Sequence, residues 1–252
     1  MKSPPEPLHL FFNALTFFTR VRAPQWVIFS PEFQAKCTQY LPWVGLLVGC
    51  FAALTYWLVQ LILPDSLAIL IAMVATLLLT GAIHEDGLAD CCDGFGGGWE
   101  KQQILSIMKD SSVGSYGVIA LVLACLIKFV ALLETGDVII TLICGHCLSR
   151  FFPLILIQKE RYVGRSEESK SAFVLSPFSS TELILAAAPA LLCFLFLPAT
   201  FLTVIIPCLA LTFWLGQYFN RWIGGYTGDC LGCCQQLNEM MLYLWFCMLF
   251  SA

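Results

Sequence analysis

Residues 37–64 read CTQYLPWVGLLVGCFAALTYWLVQLILP, 28 positions from Cys37 to Pro64 without an Asp, Glu, Lys or Arg. After Asp65 come 18 more uncharged positions, Ser66 to Ile83. A helix needs about 20 apolar residues to cross the hydrocarbon layer of a bilayer, so each stretch reads as a spanning helix. The period-2 alternation of a membrane barrel is absent, so the spans are helical. Working outward, Ser111 to Leu133 is broken only by Lys128, and Val138 to Gln158 only by Arg150. Leu183 to Asn220 runs 38 uncharged residues, enough to cross twice. Met240 to Ala252 is apolar but short, and as a span it must borrow residues from before Glu239. The expectation is an all-α, polytopic membrane helical bundle of about seven transmembrane helices. It forms a single integral membrane domain over residues 1–252, of which 1–39 are a cytoplasmic or interfacial segment.

Composition agrees. Hydrophobic residues make up 59% of the 252 and charged residues 12%, about half the share of a soluble domain. The net charge of -4 comes with no basic stripe interleaved with aromatics, so nucleic acid is not an expected partner.

The cations orient the chain. With the N-terminus in the cytoplasm, the inner segments hold Lys2, Arg20, Arg22 and Lys36, then Lys101 and Lys109, then Lys159, Arg161, Arg165 and Lys170, with Arg221 at the last inner boundary. The outer turns near Asp65, Asp137 and Pro198 hold none. The first 39 residues lack a long apolar run with a small-residue cleavage site, so no signal peptide is expected. Phe11 to Val21 is expected to form a helix lying on the inner leaflet.

The 13 cysteines are expected to be reduced. Most lie within spans as small apolar fillers. Cys91, Cys92, Cys230, Cys233 and Cys234 flank polar motifs, but adjacent pairs lack the two-to-four-residue spacer of a zinc site, and Cys230 with Cys233 makes half of one.

Polarity gathers in inner loops. In His84-Glu-Asp-Gly-Leu-Ala-Asp-Cys-Cys-Asp-Gly94 the residues Asp86, Asp90 and Asp93 fall at i, i+4, i+7. If the second span continues as a helix, their carboxylates share one stripe. Three anions beside a bilayer are costly until a cation neutralises them, and oxygen donors favour Mg2+, which takes substrate phosphates as further ligands. His84 points off that stripe. After a short surface helix, Trp99 to Met108, the chain returns through Lys109-Asp-Ser111 to Gly114 and Gly117. Lys109 can meet a phosphate, Asp110 can add a fourth carboxylate, and Ser111 with the amides of Gly114 and Gly117 suits phosphate oxygens. A second element, Asn220 to Asp229, is placed on the same face and offers Gly225, Tyr226 and Thr227 to substrate and Asp229 to join the metal site or orient a nucleophile. Within the spans, Arg150 can pair with an acidic residue or a substrate phosphate, and His146 reads as structural.

These runs resemble the cobalamin synthase family, the adenosylcobinamide-GDP ribazoletransferases. The likeness is carried by His84 to Gly94, by Ile107-Met-Lys-Asp-Ser111-x-x-Gly114-x-x-Gly117, and by Gly224-Gly-Tyr-Thr-Gly-Asp-Cys-Leu-Gly232. Phe17-Phe-Thr-Arg20 and Leu41-Pro-Trp-Val-Gly-Leu-Leu-Val-Gly49 extend it to the N-terminal region. Gln158 to Phe173 departs from it, lacking the relatives' Arg-x-x-Gly-x-Gly, so no role is carried onto Arg161 or Arg165.

The resemblance implies joining of adenosylcobinamide-GDP to α-ribazole, or its 5′-phosphate, with release of GMP and with magnesium on Asp86, Asp90 and Asp93. Asp110, Asp229 and His84 stay open as the base. The expected setting is the inner (plasma) membrane, multi-pass, with the site facing the cytoplasm; a homo-oligomer or a biosynthetic complex stays open. A CDP-alcohol phosphotransferase would share Asp90-x-x-Asp-Gly94 but needs an Ala-Arg and paired aspartates that are missing. A secondary transporter would use Lys128, Glu134 and Arg150, yet such sites lie near the midplane, whereas this cluster lies at an edge.

Overall fold

The computed structural model describes residues 5–164 and 177–250, so three of the orienting cations, Lys2, Arg165 and Lys170, lie outside the described residues. Among the described residues all regular elements are helical, apart from one isolated bridge between Tyr162 and Tyr226. The chain runs α1 (Glu6–Phe18), α2 (Pro31–Cys37), α3 (Leu41–Gln60), α4 (Asp65–Thr80), α5 (Ile83–Gly97), α6 (Lys101–Ile107) and α7 (Ser115–Glu134). It continues α8 (Val138–Ser149), α9 (Phe152–Lys159), α10 (Ser180–Leu195), α11 (Ile205–Ile223) and α12 (Gly228–Phe250).

The core is largely apolar, but so is much of the surface, and several charged and polar side chains are buried. On α7 the side chains of Val118, Ile119, Val122, Leu126 and Val130 face outward, while Lys128 on the same helix is buried. Arg150, Gln235, Gln236, Asn238 and Glu239 are buried too. An apolar outside with polar groups kept inside is the arrangement lipid favours, because hydrocarbon gives apolar side chains no reason to turn inward and polar groups no partner outside.

Among the described residues four segments are long and apolar enough to cross a membrane: Pro31–Gln60, Ser115–Glu134, Val138–Lys159 and Ala199–Ile223. The expected second span does not continue as one helix. α4 ends at Thr80, Gly81 and Ala82 turn left-handed (φ 67 and 56), and α5 departs at 87°. Glycine takes that conformation freely and alanine rarely, which makes the turn sharp. Counting the bent pair as one span gives five. The remaining two of the seven expected differ for separate reasons. α10 is apolar but only 16 residues long. α12 has 23 residues, but Gln235, Gln236, Asn238 and Glu239 lower its hydropathy.

Those polar residues are buried because α12 is the central helix, packed against α5, α7, α8, α9 and α11. The N-terminal helix begins at Glu6, earlier than the sequence suggested, and ends where the Thr19 hydroxyl donates to the Leu15 carbonyl. The Arg20 N–H then donates to the Leu79 carbonyl at 2.7 Å, tying this segment beneath the α4–α5 turn.

Candidate active site

The site is built where α5 crosses α12. A Cβ at Gly87 would stand 2.8 Å from the Asp229 carbonyl oxygen, and one at Gly232 would stand 3.1 Å from the His84 carbonyl oxygen. Only glycines permit that approach, and it brings Asp86 and Asp90 on α5 beside Asp229 in the first turn of α12. None of the three has a basic partner among the described residues.

The electrostatics reflect this imbalance. Burial first, then the charges of Asp229, Asp86 and Asp93, pushes the Asp90 carboxyl up to about 6. Asp229 is raised as well, chiefly by burial and further by Asp86, against the opposing hydrogen bond from the Thr227 hydroxyl at 3.3 Å. The three helix-borne aspartates do sit on one helix, but that helix is α5, turned away from the span.

Asp93 behaves differently. Its Oδ2 accepts the Gly114 N–H at 2.7 Å and its Oδ1 the Gly117 N–H at 2.9 Å. Gly114 is the N-cap residue of α7 and has no side chain to cap with, so Asp93 caps that helix from α5. A carboxylate at the positive end of a helix, bonded to two of its free amides, is doubly favoured. The amides expected to meet a substrate phosphate therefore meet Asp93.

Lys109, Asp110 and Ser111 are exposed on the loop leading into α7. The Asp110 Oδ1 accepts the Ser112 N–H at 2.9 Å, which holds its carboxyl below the usual range and makes it a weaker proton acceptor.

Thr227 acts at the start of α12, where its hydroxyl accepts the Cys230 N–H at 3.3 Å and donates to Asp229. Gly225 and Tyr226 are buried against the chain at 161–163: the Tyr226 N–H donates to the Arg161 carbonyl and its carbonyl accepts the Val163 N–H. A side chain at Gly225, whose φ is 150, would collide with the Arg161 carbonyl. These two residues brace the site from behind, and Gly228 and Asp229 are the parts of that motif that reach it.

His84 is buried, stacked on Phe18 (ring centroids 6.0 Å, interplanar angle 12°), with neither ring nitrogen hydrogen-bonded among the described residues. It lines a cavity of about 260 Å³ together with Asp86 and Asp229.

Arg150 lies elsewhere. Its guanidinium Nη1 donates to the His146 carbonyl at 2.9 Å and stands 3.6 Å from Glu239 Oε2, which is also 3.1 Å from His146 Nδ1. Of the two partners open to Arg150, an acidic residue or a phosphate, it has the acidic one. Lys128 joins the same network, its Nζ 3.2 Å from Glu239 Oε1, 3.5 Å from Glu85 Oε1 and 2.8 Å from Gln236 Oε1. Glu85 and Glu239 were not singled out in the sequence; Glu239 stood inside a borrowed span, and a lone carboxylate among apolar residues was the signal available.

Among the described residues no group of three or more His, Cys, Asp or Glu side chains is placed to hold a metal ion by itself. Cys91 and Cys230 touch at 4.0 Å as part of the α5–α12 packing, with no zinc-type cluster around them. The oxygen donors Asp86, Asp90 and Asp229, gathered without a cation, fit an open site for a hard ion that keeps waters and shares substrate oxygens.

Residues 10–247 match the family model described as cobalamin-5-phosphate synthase. The chain is 44% identical to the adenosylcobinamide-GDP ribazoletransferase of Shewanella frigidimarina, over 94% of this chain and 93% of the relative. It is 44% identical to that of Shewanella amazonensis (97% and 96%) and 42% identical to that of Shewanella pealeana (95% of each). No solved structure matches the chain.

Proposed function

The chain belongs to the cobalamin-5-phosphate synthase family, and from that membership we propose how its own residues carry out the transfer. It is an adenosylcobinamide-GDP ribazoletransferase, the activity its relatives' names carry, acting in cobalamin synthesis. It joins the adenosylcobinamide phosphate moiety to α-ribazole, or to the 5′-phosphate of α-ribazole, and GMP leaves.

One observation carries the residue assignment: Asp86, Asp90 and Asp229 converge at the α5–α12 crossing, beside a cavity and with no basic partner among the described residues. A diphosphate donor brings still more negative charge, so the site requires a cation. Magnesium, held by Asp86 and Asp90, would neutralise the diphosphate and the charge developing on the departing GMP oxygen.

The protein positions the rest. Lys109 and Ser111, on the loop that Asp93 ties down through Gly114, meet the phosphates from the open side. Asp229, oriented by the Thr227 hydroxyl and lining the cavity, takes the proton of the attacking ribose hydroxyl. Asp110 is the weaker candidate because it already accepts the Ser112 N–H. With the N-terminus inside, as the loop cations favour, the site faces the cytoplasm of the inner membrane.

Membranes containing the protein, given adenosylcobinamide-GDP, α-ribazole and magnesium, should release GMP and form a cobamide, and EDTA should stop both. No product under conditions where a known synthase works would overturn the reading.

A further inference from the structure

The cavity bordered by Phe18, Leu41, Ile83, His84, Asp86 and Asp229 is two-faced. One end carries the two carboxylates of the reacting site. The other is walled chiefly by aromatic and aliphatic side chains, with Thr38 and Tyr162 beside them, around an imidazole that is 5% exposed and has both nitrogens unpartnered among the described residues. Leaving a buried ring N–H unbonded costs on the order of 1–3 kcal/mol, so such a group is retained where something else bonds it.

We propose that this cavity is the acceptor subsite, in which the flat, apolar bicyclic base of α-ribazole lies against Phe18 and Leu41 and its free ring nitrogen accepts a hydrogen bond from His84. The inference rests on the function proposed above and adds the place and the recognition of one substrate.

Shape and chemistry both favour that occupant. At about 260 Å³ the cavity admits a bicyclic base with its ribose. A benzimidazole riboside has one acceptor nitrogen on an otherwise apolar base, matching an imidazole donor set among Phe18, Leu41 and Ile83. Guanine is the rival: its edge carries several donors and acceptors, which Thr38, Tyr162 and the two carboxylates would have to meet.

With the base against Phe18, the ribose extends toward Asp229. A ribose hydroxyl oxygen then forms the new bond to the phosphorus that carries cobinamide, and its proton passes to Asp229. The phosphorus–oxygen bond to GMP breaks, and GMP departs with the electron pair on its phosphate oxygen. His84 is thus a binding residue, not the base.

The test uses the full chain in phospholipid nanodiscs. His84→Ala should raise KM for α-ribazole about tenfold, leave KM for adenosylcobinamide-GDP within twofold, and weaken calorimetric binding of α-ribazole by the same factor. His84→Gln keeps an N–H donor and should recover most of the loss. Phe18→Leu, read in the same way, serves if His84→Ala fails to accumulate. A rise in KM for adenosylcobinamide-GDP instead would give the subsite to guanine, and a fall in kcat with both KM values unchanged would make His84 the base; either outcome overturns the inference. Wild-type protein that releases no GMP overturns the function itself, whereas normal release with unaltered α-ribazole binding in the variants overturns only the subsite.

Discussion

Two sets of carboxylates share helices α5 and α12, and the protein treats them oppositely. Glu85 and Glu239 are matched by Lys128 and Arg150. Asp86, Asp90 and Asp229 are matched by nothing among the described residues. Glu85 and Asp86 are neighbours, yet they leave the helix about 100° apart, one toward Lys128 and the other toward the cavity. Asp229 and Glu239 are ten residues apart on α12, about 15 Å along its axis. Charges deep in a low-dielectric interior must be balanced by the protein itself, and so they become structure. Charges at an edge can be left unbalanced, which stores a preference for whatever cation and substrate arrive.

The comparison breaks most visibly at Glu239. Glu239→Ala leaves Arg150 without its acid and Lys128 with Glu85 as its one carboxylate, and should cost about 3–5 kcal/mol, read as loss of folded protein from the membrane fraction. Unchanged yield and melting temperature would mean that the network is not structural.

The aspartates should give the reverse pattern. Asp86→Asn and Asp90→Asn should each lower turnover at least ~100-fold while leaving melting temperature equal or raised, since each removes an unbalanced anion. Asp93→Asn should lower both, because an amide cannot accept the two α7 N–H groups as a carboxylate does. Equal stability of all three variants would erase the distinction drawn between Asp93 and its neighbours.

The smallest effect is a pH dependence. The folded pKa of Asp90, about 6, lies above its ordinary 3.8, so the folded state holds an extra proton between those values. In EDTA, stability should fall as pH rises from about 4 to about 6 and stay reduced above it. Asp90→Asn should flatten that slope, and a divalent cation at pH 7 should restore the lost stability. A slope unaltered in Asp90→Asn would assign the titration to another group.

Much of this was legible in the chain. Uncharged runs of 18 to 38 residues read directly as spans, since lipid selects on composition and length. The spacing of Asp86, Asp90 and Asp93 placed them on one helix, and Asp229 was named beside them. What failed was continuity: nothing in Leu79-Thr-Gly-Ala-Ile83 announced an 87° turn with a left-handed alanine. Arg150 was assigned equally to an acid or a phosphate because its partner Glu239 is 89 residues away. Gly114 and Gly117 suited a phosphate in isolation, and the same amides suited Asp93 once α5 lay beside α7.

The sequence by itself determined the solvent, the helices and the kinds of atoms at the site, because these depend on local composition and on i, i+4 spacing. Which carboxylates are neutralised and which are left waiting was decided by tertiary structure. That outcome hangs on two backbones touching at Gly87 and Gly232, and electrostatic energy depends on distances across helices that no spacing along the chain encodes.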